Sequence, residues 1–198
     1  LLLLSFPLLL NAQGGWSQVA NFGGGIREGA VSFCIGDYGY VTTGKSSTNY
    51  KNDLWEYDIL NNTWTQKANF GGTARSNAVG FAISDKGYVG TGMAYSIYYN
   101  DFWEYDPETN IWTQKTNFGG TARDEAVGFS IGNKGYIGTG YNAGYMNDFW
   151  EYDPITDVWI EKADFSGTAR RDAVGYAIVN KGYIGTGYDG NYKNDFWE

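Results

Sequence analysis

A tandem repeat of about 48 residues is the feature that most constrains the fold of this chain. The word Asn-Asp-(Leu/Phe)-Trp-Glu occurs four times, and its tryptophans follow one another after 48, 47 and 47 residues: Trp55, Trp103, Trp150 and Trp197. A second set of tryptophans and a set of arginines keep the same spacing: Trp16, Trp64, Trp112, Trp159, Arg27, Arg75, Arg123 and Arg170. A period of roughly 40 to 50 residues predicts a propeller or solenoid, in which each unit packs only against its neighbours.

The second repeat shows the pattern of a four-stranded unit most clearly. Residues 78–83 alternate small and bulky side chains, as expected of a strand whose two faces meet different neighbours. Turn signals separate further strand-like stretches, and no segment has a helical period. The strands predicted in this repeat are 78–83, 88–92, 101–106 and 111–115. Four short antiparallel strands joined by hairpins are typical of a propeller blade.

The order of these words resembles the kelch repeat. An arginine precedes the small-and-bulky strand, followed by Gly-Tyr-(Val/Ile)-Gly-Thr-Gly, a variable loop and Tyr-Asp-Pro-x-Thr-x-x-Trp. The resemblance covers residues 16–198 and departs from the usual pattern in reading Gly-Thr-Gly where a double glycine is common. This variant looks like the kelch-type repeats of secreted bacterial proteins. The resemblance implies an all-β, kelch-type β-propeller of four-stranded antiparallel blades, with four repeats of about 47–48 residues.

The ends of the chain suggest two further expectations. Residues 1–13 begin with a leucine-rich run too short to span a bilayer and predict a signal-peptide remnant, with a membrane anchor or buried strand as the alternative. Residues 14–198 are then the propeller. Residues 16–19 resemble a fourth strand without its three predecessors, and the last repeat stops at its third strand. We therefore expect a ring truncated at both ends and prone to self-association, with a closed four-bladed ring as the alternative.

Composition excludes several classes of function. The formal net charge of -8 disfavours nucleic acid as a partner, and the absence of histidine excludes imidazole bases, the usual catalytic triads and the commonest transition-metal ligand. The single cysteine, Cys34, occupies the repeat position of Ala82, Ser130 and Ala177, which indicates a small packed side chain rather than a nucleophile. We expect no catalytic residue, no metal and no cofactor.

The candidate binding surface is the face that carries the variable loops. In an antiparallel blade, the loop after the second strand and the crossover into the next blade emerge on the same side. The candidate ligand-binding residues there are Arg27, Arg75, Arg123, Arg170, Tyr95, Tyr98, Tyr141, Tyr145 and Tyr192. The kelch resemblance implies that the arginines ring the mouth of the central channel. The alternative is architectural, with each arginine bound to an acid or to backbone carbonyls, and we expect this role for at least two of Arg75, Arg123 and Arg170.

The function predicted from the sequence is a secreted or cell-surface binding module without catalytic activity. Its loop face would recognise a protein or a glycan, and we expect no membrane span. Two alternatives stay open: a carbohydrate-active enzyme that resembles sialic acid mutarotases, and a structural spacer in a larger surface protein. A copper radical oxidase, another activity found on the kelch class of fold, is disfavoured because its copper requires histidine.

Overall fold

The computed structural model describes residues 15–198, where every regular element is a β-strand. The predicted signal-peptide remnant at 1–13 lies outside the described residues. Within the described part of the chain, no helix is long and apolar enough to cross a membrane. The all-β fold predicted from the repeat is confirmed.

The strands form four antiparallel blades in sequence order. Blade 1 contains β1 (Glu28–Ile35), β2 (Tyr38–Lys45), β3 (Leu54–Asp58) and β4 (Thr63–Lys67). Blade 2 contains β5 (Val79–Ile83), β6 (Lys86–Gly90), a loop hairpin of β7 (Met93–Ala94) and β8 (Ile97–Tyr98), β9 (Phe102–Asp106) and β10 (Ile111–Lys115). Blade 3 contains β11 (Val127–Ile131), β12 (Lys134–Gly138), β13 (Phe149–Asp153) and β14 (Val158–Glu161). Blade 4 contains β15 (Val174–Ile178), β16 (Lys181–Gly185) and β17 (Phe196–Trp197).

Two of the predicted strand positions need correction. The second strand of the second repeat was expected at 88–92, but β6 ends at Gly90. Thr91 and Gly92 have φ angles of 59° and 89°, which turn the backbone out of the extended region. Residues 16–19 form no strand, because no third strand lies beside them in the described part of the chain, and Trp16 is fully exposed.

The inner strands β1, β5, β11 and β15 pack side by side around a channel of about 230 Å³. Each inner strand presents bulky side chains to the following blade and small residues to the preceding one. A Cβ added at the small position would overlap a Cγ1 of the preceding blade, so only glycine fits there; the pairs are Val31 with Gly80, Val79 with Gly128, and Val127 with Gly175. We call the valine a knob and the glycine a notch.

Blades 1 and 4 do not contact each other through their inner strands in the described residues. The knob face of blade 4, with Val174, Tyr176 and Ile178, is about half exposed. Blade 1 carries Ser32 at the notch position, and the neighbouring Cys34 is exposed. Cys34 thus occupies a small-residue slot as predicted, but on a face that no described blade covers.

Each outer hairpin also holds the segment that leads into its own blade. In blade 2 the indole N–H of Trp112 donates to the carbonyl of Ala68 at 3.1 Å, while Asn110 Oδ1 accepts the N–H of Ala68 at 2.9 Å. The hydroxyl of Tyr105 donates to the same Asn110 oxygen at 2.9 Å. Blades 1 and 3 repeat this arrangement with Trp64, Asn62 and Ala20, and with Trp159, Asp157 and Thr116.

Asn110→Ala is expected to lower the free energy of unfolding by about 1–3 kcal/mol, because two donors lose their acceptor. The loss is compounded by the φ angle of 55° at this position, which asparagine tolerates better than alanine. Asn110→Asp is the matched control, since Asp157 does the same work in blade 3. Urea unfolding of the three proteins decides the matter, and equal midpoints for Asn110→Ala and the unmodified chain would contradict this role.

Candidate functional site

The four repeated arginines lie inside the protein. Arg75, Arg123 and Arg170 have no exposed surface, and the side chain of Arg27 is 3% exposed. Each guanidinium binds an aspartate through both of its terminal nitrogens. The Nη2 to Oδ2 distances are 2.7, 2.8, 2.6 and 2.7 Å for Arg27 with Asp53, Arg75 with Asp101, Arg123 with Asp148, and Arg170 with Asp195.

The remaining contacts explain why arginine, Gly-Thr-Gly and Asn-Asp-Phe-Trp-Glu recur together. Arg123 Nη1 donates to the carbonyl of Thr139 at 2.8 Å, which caps a backbone turn held at a φ of 59°. Trp150 donates its indole N–H to Asp148 at 2.8 Å, so this one carboxylate serves two residues. Burial tends to raise the pKa of Asp148, but the hydrogen bonds and charge of Arg123 and the bond from Trp150 outweigh it and hold the pKa below its usual value.

The predicted ligand contacts of these arginines therefore need correction. A guanidinium that has no exposed surface and is bound to carboxylate and carbonyl groups of its own blade cannot meet a ligand at the loop face. The three such side chains are Arg75, Arg123 and Arg170. Arg27 makes the equivalent contacts with Thr43 and Asp53. In this structure all four have the architectural role, which was expected for at least two of Arg75, Arg123 and Arg170.

The predicted tyrosines differ from the buried arginines, because the structure places most of them in one row on the loop face. Successive ring centroids are separated by 6.4, 5.5, 6.0 and 5.1 Å along the tyrosine row, which consists of Tyr98, Tyr141, Tyr145, Tyr188 and Tyr192. The row extends from blade 2 to blade 4. Tyr95 stands apart and pairs with Tyr50 at 4.7 Å. Tyr188 is the member that the sequence analysis missed.

A short backbone pairing fixes the loops against the channel mouth. The residue after the repeated arginine pairs with the residue after Gly-Thr-Gly, as in Asp124 with Tyr141 and Arg171 with Tyr188. The backbones of these pairs exchange hydrogen bonds of 2.9–3.0 Å. The residue after the arginine, which lies at the channel mouth, is thereby held next to an aromatic residue of the tyrosine row.

The residues at the channel mouth are the two that follow each repeated arginine. They were not predicted, although the repeat contains a signal for them. The two positions after each arginine differ in every blade, while the arginine itself does not change: Glu28-Gly29, Ser76-Asn77, Asp124-Glu125 and Arg171-Asp172. A residue that supports the blade is constant across repeats. Variable positions on the same face are therefore where a blade can contribute individual contacts.

Backbone hydrogen bonds link these positions from blade to blade around the channel. The N–H of Asn77 donates to the carbonyl of Gly29 at 2.9 Å, that of Glu125 to Asn77 at 3.1 Å, and that of Asp172 to Glu125 at 3.1 Å. The second residue of every pair has a positive φ angle, including 53° at Glu125. Glutamate is uncommon in this conformation, which the repeat imposes at the same position of every blade.

Side chains from three blades meet at this mouth, and we call Asn77, Asp124, Glu125, Arg171 and Asp172 the mouth cluster. Asn77 Nδ2 lies 3.3 Å from both Asp124 Oδ2 and Glu125 Oε1. Arg171 Nη1 donates to Glu125 Oε2 at 2.8 Å, and its guanidinium lies over the ring of Tyr141 at 5.3 Å. Asp124 is 4% exposed, and burial together with the charge of Glu125 raises its pKa to about 6.

The chain is similar in structure to a solved structure titled "Structure of YjhT". The two share 18% sequence identity at a TM-score of 0.77, over 90% of this chain and 64% of the other. The fold is a kelch-like propeller. The described part of this kelch-like propeller spans less than two thirds of the length of its neighbour, and an identity this low carries the fold alone. No protein-family model matches the sequence, and no curated protein matches it.

Within residues 15–198 of this kelch-like propeller, no group of three or more cysteine, aspartate or glutamate residues is arranged to hold a metal ion. The mouth cluster and the tyrosine row are the polar and aromatic parts of a single loop-face site. Together they can accept and donate hydrogen bonds beside aromatic surfaces, which is the composition of a binding site for a polar ligand.

Proposed function

We propose that this kelch-like propeller is an exported binding module whose loop face recognises a protein or glycan ligand. The observation that carries the proposal is the tyrosine row, which adjoins the mouth cluster on loops of a rigid β scaffold. The expected export rests on the leucine-rich start of the sequence. Location of the natural protein in the medium or on the cell surface is the corresponding test.

Physical reasons favour binding through this surface. Loops held by a scaffold can carry contacts without the constraints of the core. Tyrosine supplies a large contact area with few rotatable bonds, and its hydroxyl adds a hydrogen bond. Tyr192 is 91% exposed and Tyr95 72% exposed, so aromatic surface is available to a partner.

An enzyme that acts on carbohydrate is the second candidate, and one observation favours it. Asp124 has a pKa near 6 and lies in a cluster with Arg171 at the channel mouth. A carboxyl group tuned towards neutral pH in such a place is suited to proton transfer. Turnover of a sugar, lost on Asp124→Asn, would favour this candidate over the non-catalytic module.

We expect Tyr145→Ala to weaken ligand binding by about tenfold or more, since a central aromatic contact is worth roughly 2 kcal/mol. The measurement is retention on an array printed with both glycans and proteins, followed by titration of the strongest binder. Tyr38→Ala is the control, because Tyr38 is 42% exposed at the start of β2, outside the loop-face site. Unchanged binding by Tyr98→Ala, Tyr145→Ala and Tyr192→Ala would exclude the loop face.

A further inference from the structure

We propose that the mouth cluster recognises a vicinal diol of a neutral carbohydrate, with Asp124 accepting from one hydroxyl and Arg171 donating to the sugar oxygens. This inference rests on the proposed function and specifies the ligand class of the same loop-face site. The residues concerned vary from blade to blade, so the repeat pattern does not give them a common structural role.

Unused hydrogen-bonding capacity is the first reason. Asp124 Oδ2 has one long contact of 3.3 Å with Asn77, and Oδ1 accepts no hydrogen bond from any described residue. Arg171 donates to Glu125 through Nη1, and its side chain is 34% exposed, with no hydrogen bond from Nη2 to any described residue. Its Nε is buried and lies 3.8 Å from Asp172 Oδ2, so Nη2 is the donor open to a ligand. Asn77 and Glu125 bridge the two side chains, so free acceptor and free donor atoms belong to one cluster. A pair of adjacent hydroxyls, each both donor and acceptor, complements this combination.

The aromatic surroundings are the second reason. The guanidinium of Arg171 lies over Tyr141 at 5.3 Å and over Tyr188 at 5.6 Å, which fixes its orientation. Burial and the charge of Asp124 both raise the pKa of Tyr98, so this ring also belongs to the same neighbourhood. Aromatic faces beside oriented polar groups suit a ligand that has apolar C–H surfaces and hydroxyl edges, as a sugar ring has.

Charge is the third reason, and it selects neutral glycans over acidic ones. Three carboxylates, from Asp124, Glu125 and Asp172, face one guanidinium in the mouth cluster, and the chain has a net charge of -8. A ligand carboxylate or phosphate would be repelled by this field, whereas hydroxyl groups are not.

The mouth cluster also weakens the fold, as binding sites often do. A carboxylate that is 4% exposed without a cationic hydrogen-bond partner disfavours the folded state when ionised. A pKa raised to about 6 means that this penalty is complete above pH 6 and disappears below the ordinary pKa of 3.8. Retaining such a destabilising buried carboxylate is typical of a site kept for function.

The first arm of the experiment compares three forms of one printed oligosaccharide. These are the neutral glycan, the same glycan capped with sialic acid, and the neutral glycan after mild periodate and borohydride treatment, which cleaves vicinal diols and removes the aldehydes. We expect the folded protein to bind only the first form. Stronger binding of the sialylated form, or unchanged binding after diol cleavage, overturns the inference.

The second arm uses Asp124→Asn and Arg171→Gln, with Glu28→Gln as the control at the same repeat position in blade 1. We expect both test variants to bind the neutral glycan at least tenfold more weakly, and the control to bind normally. Asp124→Asn should also melt at a higher temperature at pH 7, with a difference that narrows towards pH 4. Wild-type affinity should fall between pH 7.5 and pH 5, but that of Asp124→Asn should not.

The outcomes separate this inference from the proposed function. Retention of protein ligands alone, lost on Tyr145→Ala, would overturn the diol site and leave the binding module standing. Absence of any ligand that depends on the loop face would overturn both. A lower melting temperature of Asp124→Asn at pH 7 would show that Asp124 stabilises the fold, and would contradict its assignment as a carboxylate kept for binding at a cost in stability.

Discussion

Arg123→Ala is expected to lower the free energy of unfolding by about 3–5 kcal/mol, the usual cost of removing one member of a buried ion pair. The change leaves Asp148 with the indole of Trp150 as its remaining side-chain donor, and leaves the carbonyl of Thr139 without the cation that caps it. The burial that tends to raise the pKa of Asp148 is then opposed only weakly. Urea unfolding at pH 7 measures the loss.

Two comparisons identify the cause. The double variant Arg123→Met, Asp148→Leu removes both charges and should recover part of the lost stability, because a buried pair can be replaced by packed apolar groups. Lys45→Ala breaks a pair whose side chains are 42% and 76% exposed, and should cost less than about 1 kcal/mol. A similar small cost for Arg123→Ala would mean that the buried pair does not support blade 3.

Gly128→Ala is expected to destabilise the chain by about 3 kcal/mol, at the upper end of the usual cost of overpacking. The added methyl would occupy the space of Val79 Cγ1 and press on the ring of Phe81, both from the preceding blade. Alanine elsewhere in a strand would be the more favourable residue, so the sign of the change reports the contact between blades.

The decisive measurement combines Gly128→Ala with a change of its packing partner, Val79. Val79→Ala alone should destabilise the chain by leaving a cavity, yet in the double variant with Gly128→Ala it makes room for the new methyl. We expect a coupling energy of about 1–2 kcal/mol between the two sites. Ser32→Val is the matched control at the exposed notch position of blade 1, where we expect a change within about 0.5 kcal/mol. Additive effects of Gly128→Ala and Val79→Ala would exclude direct contact.

Much of the fold could be predicted because the sequence pattern of a blade occurs four times in the chain. The alternation of residues 78–83 identified the inner strand, and the fourth strand of that repeat matches β10. The end of β6 was missed because a threonine with a positive φ is rare and depends on a carbonyl capped by Arg75. Nothing local in the sequence near Thr91 announces that contact.

The site could be predicted only in part, for a related reason. The loop tyrosines were identified from their type and position, and four of the five lie in the tyrosine row. The arginines were assigned to the right face, but their burial follows from aspartates about 25 residues away along the chain. The pKa of Asp124 depends on Glu125 and on groups from two other blades, which only the packing of the inner strands brings together.

The one-way packing of the inner strands bears on how such a chain can grow by duplication. A blade that has a valine knob facing the following blade and a glycine notch facing the preceding blade fits between any two copies of itself. A duplicated segment that encodes blade 2 or blade 3 would therefore meet compatible neighbours at both of its new boundaries. Blade 1 is the exception, because it has Ser32 at the notch position. If a copy of blade 1 followed another blade, its serine side chain would overlap the valine knob of that blade, and a change of the serine to glycine would be needed to remove the overlap. A single codon thus distinguishes the repeat that can be copied to internal positions from the one that cannot.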